Sequence, residues 1–184
     1  MKIFVVRHGE TEWNAVNKVC GRTDVPLSEK GHEQAKTLAI QLKENQSKND
    51  IRHIFVSPLM RARQTASYIE DVLGIRAIVE DDLIEMNFGT SEGMDLFSEE
   101  FNKAKAEPFL RFPSGESYMD LSFRAKRLLE KICECYKKEN LSGNILLVCH
   151  GALGRAIATC FQNFTLEEFK NTRIKNCEVR EYEM

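Results

Sequence analysis

Ile3-Phe4-Val5-Val6-Arg7-His8-Gly9-Glu10-Thr11, running on to Asn14, decides how this chain is read. Four consecutive apolar residues predict a strand buried on both faces, as in a parallel sheet. The run stops at Arg7-His8-Gly9. A cation and an imidazole at the carboxyl end of a buried strand stand where open α/β sheets bind their ligands. The glycine lets the backbone turn and approach a ligand closely. The same layout recurs twice. Ile54-Phe55-Val56-Ser57 feeds Pro58, Arg61 and Arg63, and Ile145-Leu146-Leu147-Val148-Cys149 ends at His150-Gly151. If the three strands are parallel, Arg7, His8, Arg61 and His150 converge on one crevice. Two guanidiniums and two imidazoles around one point suit a small, highly charged anion. Phosphate fits, because Arg offers planar, bidentate donors to its oxygens. Sulfate and carboxylate ligands stay open on charge alone.

Helical patterns fill the intervals. Ser28 is an N-cap for a helix with Ala35, Leu38, Ala39 and Leu42 inward. Ser57 is read as the next N-cap, with Pro58 in the first turn, an apolar stripe of Leu59, Ala62, Ala66, Ile69 and Leu73, and Gly74 as the stop. That reading puts Arg61 in the first helical turn, beside free N–H groups that favour an anion. Arg76 to Glu80 predicts a third short strand, residues 82–93 a loop, and Met94 to Lys105 a helix. Pro108 and Pro113 make residues 107–114 irregular. Ser117-Tyr118-Met119-Asp120 resembles a capping box opening a long helix that ends near Asn140. A further helix starts directly after His150-Gly151, and the tail from Ile174 to Glu183 predicts an antiparallel edge strand. The alternation predicts an α/β fold, a three-layer α/β/α sandwich with a mostly parallel sheet, in one domain over residues 1–184. Residues 94–112 form a small lid or cover in this reading, bringing Phe97, Phe101, Phe109, Phe112, Lys103, Lys105 and Arg111.

The 184 residues are 42% hydrophobic and 29% charged, which predicts a globular chain with a sizeable core. A net charge of -2, from 26 basic and 28 acidic residues, gives no support to a nucleic-acid or membrane-surface partner. No apolar run approaches the ~20 residues of a membrane span, and the amino terminus reads as a strand rather than a signal core. The expected location is cytoplasmic. The six cysteines lie mostly within apolar patterns. Cys133-Glu134-Cys135 has the wrong spacing for a zinc knuckle. No metal and no cofactor are expected, and oligomeric state is not legible.

Arg7-His8-Gly9-Glu10-Thr11 with Asn14 closely resembles the motif that opens the histidine phosphatase superfamily, the phosphoglycerate-mutase-like proteins. Further matches come in order: Gly21, Asp24-Val25-Pro26-Leu27-Ser28, Gly31 and Gln34-Ala35; then Ser57-Pro58-Leu59, Arg61-Ala62 and Gln64-Thr65-Ala66. Leu83, Glu85, Gly89 and Glu92-Gly93 come next, then Pro113, Gly115-Glu116-Ser117, Val148 and His150-Gly151. The acid-phosphatase and phytase branch would place a second arginine and a proline soon after the first glycine, where this chain has Glu10-Thr11-Glu12. Among small members, α-ribazole-phosphate phosphatases and broad sugar-phosphate phosphatases both suit the chain.

The resemblance implies hydrolysis of a small phosphorylated metabolite through a phosphohistidine. His8 would be the nucleophile. Arg7, Arg61 and His150 would hold the phosphoryl oxygens, and Glu85 would protonate the leaving group and then activate water. Asn14, Gly21, Arg22, Thr23 and Gly151 would add substrate contacts. General chemistry agrees: phosphoryl transfer asks mainly for positioning and charge stabilisation, imidazole is an available base near neutral pH, and an alkoxide leaving group needs an acid. Glu80, Asp81, Asp82 and Glu92 compete with Glu85 for that role. His32, His53 and Arg63 are expected to be structural. Mutase members carry a longer segment after the glutamate, so the short stretch from Met94 to Phe112 favours hydrolysis over phosphoglycerate mutase chemistry. A non-catalytic phospho-ligand binder would be expected to have lost the nucleophile or the acid. A signalling phosphatase acting on phosphoprotein would need a shallow site.

Overall fold

Both faces of the opening strand are covered, which is why its apolar run is unbroken. The computed structural model describes residues 1–184. In it β1 (Lys2–Arg7), β2 (Ile51–Val56), β3 (Ala77–Val79), β4 (Asn144–Cys149) and β5 (Val179–Glu183) form one sheet in the order β3-β2-β4-β1-β5. The first four run parallel, and β5 lies antiparallel to β1 at the edge, as the tail pattern predicts. The helices are α1 (Glu12–Ala15), α2 (Glu29–Glu44), α3 (Gln46–Asn49), α4 (Met60–Leu73), α5 (Glu99–Ala106), α6 (Tyr118–Lys138), α7 (Gly151–Ala158) and α8 (Leu166–Asn171). Pleating sends Phe4 and Val6 to one face, with Leu146, Val148, Ile54 and Val56. Leu38 and Leu42 of α2 and Ala62, Ala66 and Ile69 of α4 pack on them. Ile3, Val5, Ile145 and Leu147 face the other way, under Leu121, Leu128 and Ile132 of α6 and Leu153 and Ile157 of α7. The result is a three-layer α/β/α sandwich. No helix is long and apolar enough to cross a membrane.

Four local expectations need correction. Helix α4 starts at Met60 with Leu59 at its N-cap, so Ser57 does not cap it and Pro58 precedes it. The Ser57 hydroxyl is used elsewhere, on His150 Nε2 at 2.7 Å and under the Leu59 N–H. Second, the Met60 N–H at the start of α4 donates to Asp24 Oδ1 at 2.7 Å, so this helix end already carries a carboxylate and is not a free anion site. Third, the helix expected from Met94 begins only at Glu99, capped by Ser98. Backbone around Met94 and Leu96 is held by Val19 and Asn17 instead, through Val19 N–H to Met94 O and Leu96 N–H to Asn17 O. Fourth, β3 covers only residues 77–79. The long helix opens with the expected capping box of Ser117 and Asp120 and stops at Lys138.

Candidate active site

The parallel ladder runs past the ends of its strands and so fixes the residues just beyond them. The His8 N–H donates to Cys149 O, and the Ser57 N–H donates to Val148 O, both at 3.0 Å. His8, Ser57 and His150 therefore leave three adjacent strands at one level. The His8 and His150 rings meet edge to face with centroids 5.1 Å apart. His8 Nδ1 lies 2.6 Å from its neighbour's carbonyl, Gly9 O. A carbonyl only accepts, so Nδ1 carries the ring proton and Nε2 keeps its lone pair. Arg61 Nε donates to that Nε2 at 3.2 Å. The rest of the fully buried Arg61 guanidinium donates to Thr23 O at 3.0 Å and Gly21 O at 2.6 Å. Arg7 Nη1 donates to Ile174 O at 2.8 Å. Arg7 Nε and His150 Nδ1 are buried without a partner, two free polar atoms beside His8.

These groups make a basic, dry corner. Burial, then the Arg61 and Arg7 charges, push the His8 imidazole well below its ordinary range. Burial, Arg61 and His8 do the same for His150. Both rings are accordingly neutral near pH 7, and a neutral ring is what a nitrogen nucleophile requires.

Glu85 reaches the same corner from the loop between β3 and α5. Its carboxylate accepts the N–H groups of Ala152 and Leu153 at the start of α7, both at 3.0 Å, and that of Met86 at 2.8 Å. Three of the four competing acids are committed elsewhere, and Asp81 is exposed and does not line the site. Glu80 pairs with Lys131 at 2.7 Å and Asp82 with Arg127 at 3.0 Å. Glu92 accepts the Arg22 and Thr23 N–H groups and the Thr23 hydroxyl.

A cleft of about 180 Å³ opens on Arg7, His8 and Glu85. Asn14 and Gly151 line it. Asn14 Oδ1 closes a capping box on the Thr11 N–H, and a Cβ at Gly151 would sit 3.4 Å from Arg7 Nε. Gly21 acts through its carbonyl on Arg61. Arg22 and Thr23 do not line the cleft. Arg22 turns to Glu116 at 3.1 Å, and Thr23 is tied to Glu92. Their part is to hold the loop whose carbonyls fix Arg61. Arg63 is exposed on the far side of α4, and His32 and His53 bond Tyr68 and Ser142 O, outside the cleft.

The cleft also takes residues that the sequence reading passed over: Lys18, Tyr118, Arg155 and Arg173. From the 94–112 segment only Leu96, Phe101 and Lys105 line it. Phe101 and Phe112 are buried in the core, and Phe97 and Phe109 are exposed. Arg124 was also missed. It is buried behind Glu85, donating to Asp82 O, Ile84 O and Glu85 O and pairing with Glu116 at 3.0 Å. A lone Arg at a helical position announces nothing until the loop it braces is folded against it.

The chain resembles known proteins along nearly its whole length. The family model of the Histidine phosphatase superfamily (branch 1) matches residues 3–184. The probable phosphoglycerate mutase GpmB of Photorhabdus laumondii is 33% identical over 187 residues, spanning 97% of this chain and 83% of that protein. A mycobacterial glucosyl-3-phosphoglycerate phosphatase has the same fold, with a TM-score of 0.83 at 22% identity over 98% of this chain and 88% of its own. The phosphoserine phosphatase of Entamoeba histolytica, in complex with 3-phosphoglyceric acid, gives a TM-score of 0.80 at 28% identity over 98% of this chain and 89% of its own.

Proposed function

The chain belongs to the histidine phosphatase superfamily, branch 1, and from that premise we propose that it hydrolyses a small phosphomonoester through a phosphohistidine on His8. The observation that carries the reading is the state of His8. Nδ1–H donates to Gly9 O, which leaves the Nε2 lone pair turned toward Arg61 among two further donors without partners. Nε2 attacks phosphorus and the bond to the ester oxygen breaks. Glu85, protonated at that moment, gives its proton to the departing oxygen. Water then attacks the phosphohistidine, its proton goes to Glu85, the P–N bond breaks and inorganic phosphate leaves. Glu85 ends as it began. Arg7 Nε, Arg61 and His150 Nδ1 meet the charge on the three spectator oxygens. The Ser57 hydroxyl, which accepts from the Leu59 N–H, donates its O–H hydrogen bond to His150 Nε2 and so keeps the ring N–H on Nδ1, facing the phosphoryl group.

The arginines supply the charge that a metal ion supplies in other phosphoryl-transfer sites, so EDTA should leave activity unchanged. Inhibition reversed by added metal would overturn that point. The direct test is phosphate release from a panel of sugar phosphates, phosphoglycerates, phosphoserine, nucleotides and α-ribazole phosphate, with His8→Ala as control and intact-protein mass spectrometry after rapid quench. Expected are release, a mass increase of one phosphoryl group on wild type, and neither with His8→Ala. Activity surviving in His8→Ala would refute the covalent route. A second reading, mutase chemistry, is favoured by the name of the 33% identical relative. Interconversion of 2- and 3-phosphoglycerate without net release of phosphate would select it.

A further inference from the structure

The cleft holds more positive charge than one phosphoryl group uses. Five cations line it, Arg7, Lys18, Lys105, Arg155 and Arg173, against a single carboxylate, Glu85. None of the five is within ion-pair distance of an acidic group. Arg7 belongs with His8. Lys105, Arg155 and Arg173 come from three separate pieces of chain: α5, α7 and the segment after α8.

Arg155 is the most telling of them. It is only 7% exposed, and its Nε is buried with no partner. Its guanidinium has no acidic partner, only the Tyr118 side chain and a long hydrogen bond of 3.4 Å from Nη1 to Thr172 O. The guanidinium lies against a pair of rings set edge to face, 4.9 Å from the Tyr118 centroid and 4.7 Å from that of Phe169. The rings attract the cation through their faces but bring it no anion. A buried cation lacking a carboxylate is costly to keep. Lys105 stands in the same field: burial, then Arg155 and Arg173, lower its pKa from the ordinary lysine value.

We infer that Lys105, Arg155 and Arg173 form a second anion subsite, and that the substrate is a small phosphomonoester whose leaving group carries a carboxylate or a second phosphate. The inference rests on the phosphatase reading and deepens it. Spacing limits the size of the substrate. Gly151, beside Arg7, and Arg155 lie on one face of α7 a single turn apart, ~6 Å along the axis. The two anionic groups must therefore be separated by only a few bonds, and the small volume of the cleft sets the same limit.

Matched pairs of compounds test this: 3-phosphoglycerate against glycerol 3-phosphate, and glucose 1,6-bisphosphate against glucose 6-phosphate. The readout is the ratio of kcat/KM within each pair, since misfolding lowers both members alike. Charge-assisted hydrogen bonds of ordinary strength predict a ratio of roughly 10 to 100 in at least one pair. That ratio should fall several-fold in Lys105→Met and toward 1 in Arg155→Gln, with Arg155→Lys intermediate. The pair that shows the ratio tells carboxylate from phosphate. Ratios near 1 in both pairs, unmoved by the substitutions while p-nitrophenyl phosphate is still hydrolysed, would overturn the subsite and leave the phosphatase reading standing. Calorimetric binding of the same pairs to His8→Ala protein separates the two failures. Arg155-dependent preference for the doubly anionic member, in a protein that hydrolyses nothing, would uphold the subsite and refute the phosphatase reading.

Discussion

At the scale of the residue, the two buried histidines couple the chemistry to stability. Each has its pKa lowered by burial first, and then by neighbouring positive charge. Below the ordinary histidine value of ~6.5 the unfolded chain binds a proton at each ring that the folded chain refuses. Stability therefore falls as pH falls from about 6.5 toward the low folded-state values, by up to about 1.4 kcal/mol per pH unit for each ring. Urea unfolding between pH 5 and 6.5 should show this slope, and His8→Asn should reduce it by roughly half of the two rings' share. A slope that His8→Asn leaves untouched would mean that the ring is not neutral in the folded protein. Ser57 acts one step further out. Ser57→Ala removes the partner of His150 Nε2 and should lower kcat by roughly ten- to a hundredfold, with KM changing less, from the loss of one oriented donor to the transition state. An equal effect on binding and turnover would make Ser57 merely structural.

At the scale of the element, the acid is placed by a brace rather than by its own loop. Arg124, on α6, collects the carbonyls of Asp82, Ile84 and Glu85, while Glu116 ties Arg124 to Arg22 and to the Asn87 N–H. Arg124→Met should cost up to about 3 kcal/mol in unfolding free energy and lower kcat more than it raises KM, because the loop carrying Glu85 loses its fixed end. Arg124→Lys, which keeps the charge but not the fork, should fall between; full activity in Arg124→Met would show that the N–H groups of α7 suffice to place Glu85. The brace also shows where sequence reading stops. β1 and β4 were legible because burial on both faces writes unbroken apolar runs, β2 only in its last three residues because Arg52 and His53 interrupt it, and the ends of β1 and β4 carried Arg7, His8 and His150 in plain view. Asn14, Gly151 and Glu85 were legible only by resemblance to a family motif. The start of α4 was misread because Ser57 and Pro58 look the same as a cap and first turn whether or not the serine is spent on a histidine across the sheet. Lys105, Arg155 and Arg173 could not be grouped from the chain, since each is an ordinary helical or loop cation and only α5, α7 and the last loop folding together make them neighbours.

At the scale of the whole molecule, the free protein holds repelling cations at the carboxyl edge of its sheet, and an anion that fills the site should tighten the entire fold. Arg61 is fully buried and Arg7 half-buried beside His8, each lowering its proton affinity. Their placement depends on parts far apart in sequence: Gly21 O and Thr23 O for Arg61, Ile174 O for Arg7. A ligand that binds only when these pieces are assembled adds its binding energy to folding. At a hundred times its dissociation constant this is about 2.7 kcal/mol, or roughly 5 to 11 °C in Tm for a domain of this size. Orthovanadate and inorganic phosphate should both raise Tm in this way, and chloride at matched ionic strength should not. Arg7→Gln should abolish most of the shift even if it leaves the free protein as stable as before or more so, since it relieves repulsion while removing a donor. Tm insensitive to vanadate at millimolar concentration would mean that the corner does not receive an anion at all, and the assignment of Arg7, Arg61 and His150 to the phosphoryl oxygens would fall with it.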